Sequence, residues 1–145
     1  VAPLSSAVMA SCAIPGWFTP VDIGGRTYVD GGAVSATSVD VIAHSGLDEV
    51  YVIAPMVSFE MDSPSGIPAR LERRWRAQVT KVCRDEMALV RASGARVYAI
   101  GPGREDLEAI GANLMDSSRR QLVLDTSLRT SAHAWRDEFA EQLAG

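Results

Sequence analysis

A chain of 145 residues that is 47% hydrophobic and 22% charged has an ordinary soluble composition and is long enough for one domain with a real core. Three Phe and three Trp leave that core mostly aliphatic. A formal net charge of −4 has the wrong sign for nucleic acid and for strong adhesion to anionic lipid, a local basic patch aside.

In chain order, the small residues Ser5 to Cys12 suit a helix that Ile14-Pro15-Gly16 stops. Val21-Asp22-Ile23 and Arg26-Thr27-Tyr28-Val29 then flank Gly24-Gly25, the composition of a tight hairpin, because its central residues need positive φ. Thr37 or Ser38 is placed to cap a helix through Val39, Val41, Ile42 and Ala43, with Gly46 at its end. Glu49 to Ala54 is a dense β-branched run, expected to be a fully buried strand. After a polar loop from Ser58 to Pro68, a long helix is predicted with Leu71, Trp75, Val79, Val82 and Leu89 as its core stripe and Gly94 as its stop.

Arg96 to Ile100 is a second buried strand, so strand, helix and strand form a βαβ unit with parallel neighbours and a right-handed crossover. The chain ends on one helix with Leu124, Leu128, Ala132, Trp135, Phe139 and Leu143 at steps of three and four, and Thr126 to Thr130 as the place for a break.

The stretch from Ala7 to Gly32 carries the chemistry. It sets a carboxylate, Asp30, at the exit of a strand with Gly31 and Gly32 behind it, where another loop can approach closely. Taken alone, Asp-Gly-Gly more often marks a turn that the aspartate caps. Here the flanks add Ser11-Cys12-Ala13-Ile14-Pro15-Gly16-Trp17-Phe18 and Gly25-Arg26-Thr27-Tyr28-Val29-Asp30-Gly31-Gly32. Together they resemble the C-terminal signature of bacterial patatin-like phospholipases, over roughly residues 7–55. The resemblance implies an incomplete three-layer α/β/α domain with a mainly parallel sheet, of which residues 1–145 are the C-terminal part. It implies further that Asp30 is the base of a Ser–Asp catalytic dyad, with Asp30, Gly31 and Gly32 as the motif, acting on a phospholipid or acylglycerol ester without cofactor or metal.

Two departures stand beside the resemblance. Ala33 to Ser38 replaces the asparagine and proline that many members carry after the glycines, which bears on substrate preference. No serine sits in Gly-x-Ser-x-Gly, and the glycine-rich oxyanion loop is absent; Ser45 has Ala43 and Leu47 where the glycines belong. A start at Val1 without an initiator methionine reads as a fragment, whose partner would be the missing N-terminal half of the domain. The chain alone is therefore expected to be inactive, with an unpaired strand edge and an exposed apolar face. The lack of a signal peptide or an 18-residue apolar run points to the cytoplasm, with room for peripheral contact at a membrane.

Other candidates carry less. His44 with Ser45 and Asp40 or Asp48 would be a triad, but neighbours on one helix face different ways, so a solvent-facing histidine is expected. His133 reads as structural, and with the histidines far apart a metal site has little support. Gly101-Pro102-Gly103 resembles a phosphate turn, yet Pro102 lacks an N–H, and Glu105 and Asp106 would repel an anion.

Trp17 and Phe18 are expected in the core, with lipid contact at an entrance loop as the alternative. Arg70, Arg73, Arg74 and Arg76 are expected to be a solvated face. Met56, Met61 and Met115 read as packing, and Cys12 and Cys83 as reduced thiols. The functional readings left open are a carboxylic ester hydrolase, a non-catalytic partner- or lipid-binding relative, and a nucleotide- or anion-binding module at Gly101.

Overall fold

The computed structural model describes residues 2–114 and 116–144; Met115, and the side chain of Leu143 in the expected terminal stripe, lie outside that description. The chain divides into two compact units, residues 1–37 and 38–145.

In the first unit a short helix α1 (Leu4–Ser11) precedes an antiparallel hairpin of β1 (Val21–Ile23) and β2 (Arg26–Tyr28), with Val21 opposite Tyr28. Gly24 and Gly25 sit at φ +61° and +77°, as the two-residue turn requires, and Asp22 Oδ1 accepts the Gly25 N–H at 3.2 Å. A single 3-10 turn, Gly31–Ala33, follows.

In the second unit β3 (Glu49–Ile53) and β4 (Arg96–Ile100) are parallel neighbours in the register Glu49↔Arg96 to Ile53↔Ile100. The connection is α2 (Ile67–Ala92), begun by Pro68 in its first turn and stopped at Gly94, φ +101°. This is the expected βαβ unit. One sheet face, Val50, Val52, Val97 and Ala99, packs with Cys83, Met87 and Val90 of α2, a mostly aliphatic core. The other face is met by α4 (Arg120–Ala144), whose Trp135 and Phe139 join Tyr51 and Tyr98 in an aromatic cluster. Helix, sheet and helix make an α/β layering.

β3 is not buried on both faces: Val50 and Val52 are inside, while Glu49, Tyr51 and Ile53 are exposed. The two sheet edges also differ. On the outer edge of β4, Arg91 donates to the Val97 carbonyl and Glu138 accepts the Ala99 N–H. The outer edge of β3 pairs with no strand among the described residues.

Four further expectations are corrected. Residues 39–42 form a 3-10 helix, not an α-helix, with the Val39 N–H held by Glu86 at 3.0 Å. The stripe Leu71, Trp75, Val79, Val82 and Leu89 is only partly the core face of α2. Val79 packs against the core and Val82 is half-buried, but Leu71, Trp75 and Leu89 are exposed, and Arg73, Arg76, Thr80, Cys83, Met87 and Val90 face inward. The solvated arginine face is corrected for two of its four members: Arg70 and Arg74 are exposed, but Arg73 is 7% and Arg76 0% exposed.

The cause is what the first half of α2 meets. Instead of strand side chains it faces loop carbonyls and carboxylates, which require donors. Arg73 donates to Asp62, Glu72, Leu107 O and Gly111 O, and Arg76 to Glu72 and Pro55 O. Finally, α4 is unbroken through residues 126–130. The Thr130 hydroxyl bonds back to Thr126 O and to Asp106 on α3 (Arg104–Ile110), so the threonines tie helices together instead of ending one. Its stripe is largely outside, with Leu124 and Leu128 exposed.

Candidate functional site

Asp30 lies two residues past the end of β2, where its own N–H donates to the Ala13 carbonyl at 2.9 Å. That bond ties the strand exit to the turn after α1. Its carboxylate is partly exposed. Oδ1 accepts the Gly32 N–H at 2.8 Å, so Asp30 caps the Gly31–Ala33 turn as an Asp-Gly dipeptide predicts. Oδ2 has no protein partner among the described residues. One oxygen therefore fixes the rotamer, and the other remains available as a proton acceptor. A Cβ added to Gly32 would come within 3.1 Å of Oδ1, so the second glycine keeps the carboxylate in place.

Ala13 belongs to a compact turn in which the Ile14 carbonyl accepts the N–H groups of both Trp17 and Phe18, with Gly16 at φ +83°. That turn throws the two aromatics outward. Trp17 is 83% exposed and Phe18 mostly so, which corrects the expectation that they pack inside. The Ala13 carbonyl and Gly32 N–H are main-chain partners, which no residue type announces; the only signal was that both lie in the motif-bearing stretch.

The other candidates do not assemble. His44, Ser45, Asp40 and Asp48 are all exposed, with no hydrogen bond among them in the described residues. His133 is exposed as well, with Nδ1 3.0 Å from the Arg129 carbonyl. The Gly101 turn is filled by protein, for a Cβ there would stand 2.4 Å from the Val57 carbonyl oxygen. Ser58 donates to Pro102 O, Asp106 accepts the Gly103 N–H at 2.9 Å, and Glu105 is paired with Arg129 at 2.6 Å. That pairing holds the Glu105 carboxyl below the usual carboxylate range. The space beside Gly101 and the Gly103 N–H are both taken by protein, which counts against a phosphate at this turn. Cys12 is an exposed and Cys83 a buried free thiol.

Residues 1–43 match the family model of the patatin-like phospholipases. The matched patatin-like stretch contains the whole first unit, the hairpin and Asp30-Gly31-Gly32 included, and ends before β3. Neither a curated protein nor a solved structure gave a significant match to the chain. The family match suggests a hydrolase of lipid esters, and it stops short of assigning any residue a role. No described helix is long and apolar enough to cross a membrane.

Proposed function

We propose that this chain is the aspartate-bearing part of a patatin-like lipid acyl hydrolase, with Asp30 as the base of a Ser–Asp dyad. The reading is supported chiefly by one observation. Within the patatin-like stretch, Asp30 stands at a strand exit with Oδ1 held by Gly32 and Oδ2 open. Its serine would come from a Gly-x-Ser-x-Gly segment in the N-terminal half of the complete domain.

In that complete site the serine hydroxyl attacks the ester carbonyl, and Asp30 Oδ2 takes its proton. The Gly32 N–H holds the carboxylate in one rotamer, so no orientation is lost at the moment of transfer. Main-chain N–H groups of the serine-bearing half stabilise the oxyanion, and the ester's alcohol leaves with the proton returned by Asp30. Water, giving its proton to Asp30, then attacks the acyl-serine, which releases the fatty acid as that proton returns to the serine oxygen. A carboxylate in bulk water is a weak base for an alcohol, so the partly exposed Asp30 needs the second half to desolvate it. The substrate class is a phospholipid or acylglycerol ester, and the setting is cytoplasmic with peripheral contact at a membrane.

The experiment is hydrolysis of a short-chain nitrophenyl ester by the purified chain, then by the chain mixed with a fragment bearing the serine. Turnover only in the mixture supports the proposal. Turnover by the chain alone that survives Asp30→Asn contradicts it.

A further inference from the structure

The exposed side of α2 is built unlike the rest of this acidic chain. Arg73, Arg76, Thr80, Cys83, Met87 and Val90 are its buried side, so the residues opposite them point away from the core. Ile67, Leu71 and Trp75 form an apolar stripe there, 80%, 68% and 47% exposed, and Leu89 continues it. Ile67, Leu71 and Trp75 recur at four-residue steps on one face, as an interfacial helix requires.

Alongside the stripe run Arg70, Arg74 and Lys81, all exposed. Lys81 is paired with Asp85 at 3.2 Å. Arg70 and Arg74 have no acidic partner among the described residues. Asp62 and Glu72 are held by Arg73 and Arg76. Two like charges one helical turn apart repel weakly, and an anion between them relieves that repulsion. Both arginines line an open hollow of about 500 Å³ with Met61, Ser63, Pro64 and Ala77; the one carboxylate on its wall, Asp62, is neutralised by Arg73, so the hollow keeps a net positive lining.

We infer that the outward face of α2, from Ile67 to Trp75, is a docking surface for an anionic lipid membrane. Charge complementarity selects this occupant. Apolar side chains with a tryptophan suit the acyl boundary, and the two unpaired guanidinium groups beside them suit lipid phosphates. The surface belongs to the second unit alone, and the inference stands without the dyad.

The test is co-sedimentation of the chain with vesicles of pure phosphatidylcholine and with vesicles containing phosphatidylglycerol. Binding is expected only to the anionic vesicles, falling as salt is raised. Arg70→Gln with Arg74→Gln should weaken it about thirty-fold, from roughly fivefold per basic residue at an anionic surface. Trp75→Ala should weaken it at low salt, whereas Trp17→Ala and Asp30→Asn should leave it unchanged. All these side chains have exposed surface, and circular dichroism is expected to match the parent throughout. Equal binding to both vesicle types, or no binding, overturns the inference. So does binding that survives the arginine substitutions or is abolished by Trp17→Ala. A concentration-dependent dimer lost in Leu71→Ser with Trp75→Ser would give the face to a second copy of the chain and likewise overturn it.

Discussion

Replacing Arg73 by alanine perturbs the densest polar junction in the second unit. The guanidinium donates to Asp62 Oδ1 at 2.5 Å and Oδ2 at 3.0 Å, to Glu72, and to the carbonyls of Leu107 at 2.8 Å and Gly111 at 3.3 Å. The side chains of Arg73, Asp62 and Glu72 are 8%, 8% and 9% exposed. Removing the cation leaves the Asp62 carboxylate without its bidentate partner and the end of α3 without its donor. Breaking a buried pair from one side costs about 3–5 kcal/mol. Against a total of roughly 5–15 kcal/mol for a domain, that is a large fraction. With a urea slope near ~2 kcal/mol/M, the unfolding midpoint should fall by about 2 M. Arg73→Lys keeps the charge, loses the planar fork and should recover less than half of the difference. Arg70→Ala, one turn earlier and exposed, should change stability by less than about 0.5 kcal/mol. Equal, small effects at positions 70 and 73 would refute the buried junction and return all four arginines to a solvated face.

Other outcomes follow from the same structure. Gly101→Ala should lower the melting temperature sharply, because its Cβ meets the backbone oxygens of Val57 and Ala54 at 2.4 and 3.0 Å, while Gly103→Ala, with nothing nearer than 3.6 Å, should be far milder. Leu107→Ala, at a fully buried position on α3, should cost about 2–5 kcal/mol in denaturant unfolding. Glu49, held below the usual carboxylate range by Arg96 and then by the Tyr51 hydroxyl, should titrate higher by carboxyl NMR in Arg96→Ala. Because its folded pKa is the lower one, the pair's contribution is present above the unfolded value. It is lost as pH falls through the folded one.

The sheet and the hairpin were legible because their signals are local. Alternation, β-branching and the Gly24-Gly25 pair each dictate backbone geometry on their own residues, and the antiparallel hairpin and the parallel pair both appeared as expected. Helix faces were not legible in the same way. A hydropathy stripe assumes that the buried side of a helix meets apolar groups, but α2 begins over carbonyls at Pro55, Leu107 and Gly111, so arginines went inside and Leu71 and Trp75 stayed out. Trp17 and Phe18 escaped for a related reason. Their exposure is fixed by a main-chain turn around the Ile14 carbonyl, and the aromatic type alone argued for burial. At the site, Asp30 and its glycines could be read from the motif, whereas the Ala13 carbonyl and the Gly32 N–H could not.

Two aspartates of the first unit make nearly the same local bond: Asp22 accepts the Gly25 N–H and Asp30 the Gly32 N–H. Asparagine at either position keeps an acceptor oxygen for that bond, so neither substitution should disturb the turn it caps. The most direct measurement is the initial rate of nitrophenyl ester hydrolysis by the chain combined with the serine-bearing fragment, comparing Asp30→Asn with Asp22→Asn. General-base removal from a dyad should cost at least ~10²-fold in rate at position 30 and leave position 22 at the parental rate. Parental turnover in Asp30→Asn, or equal losses at both positions, would contradict a catalytic role for Asp30.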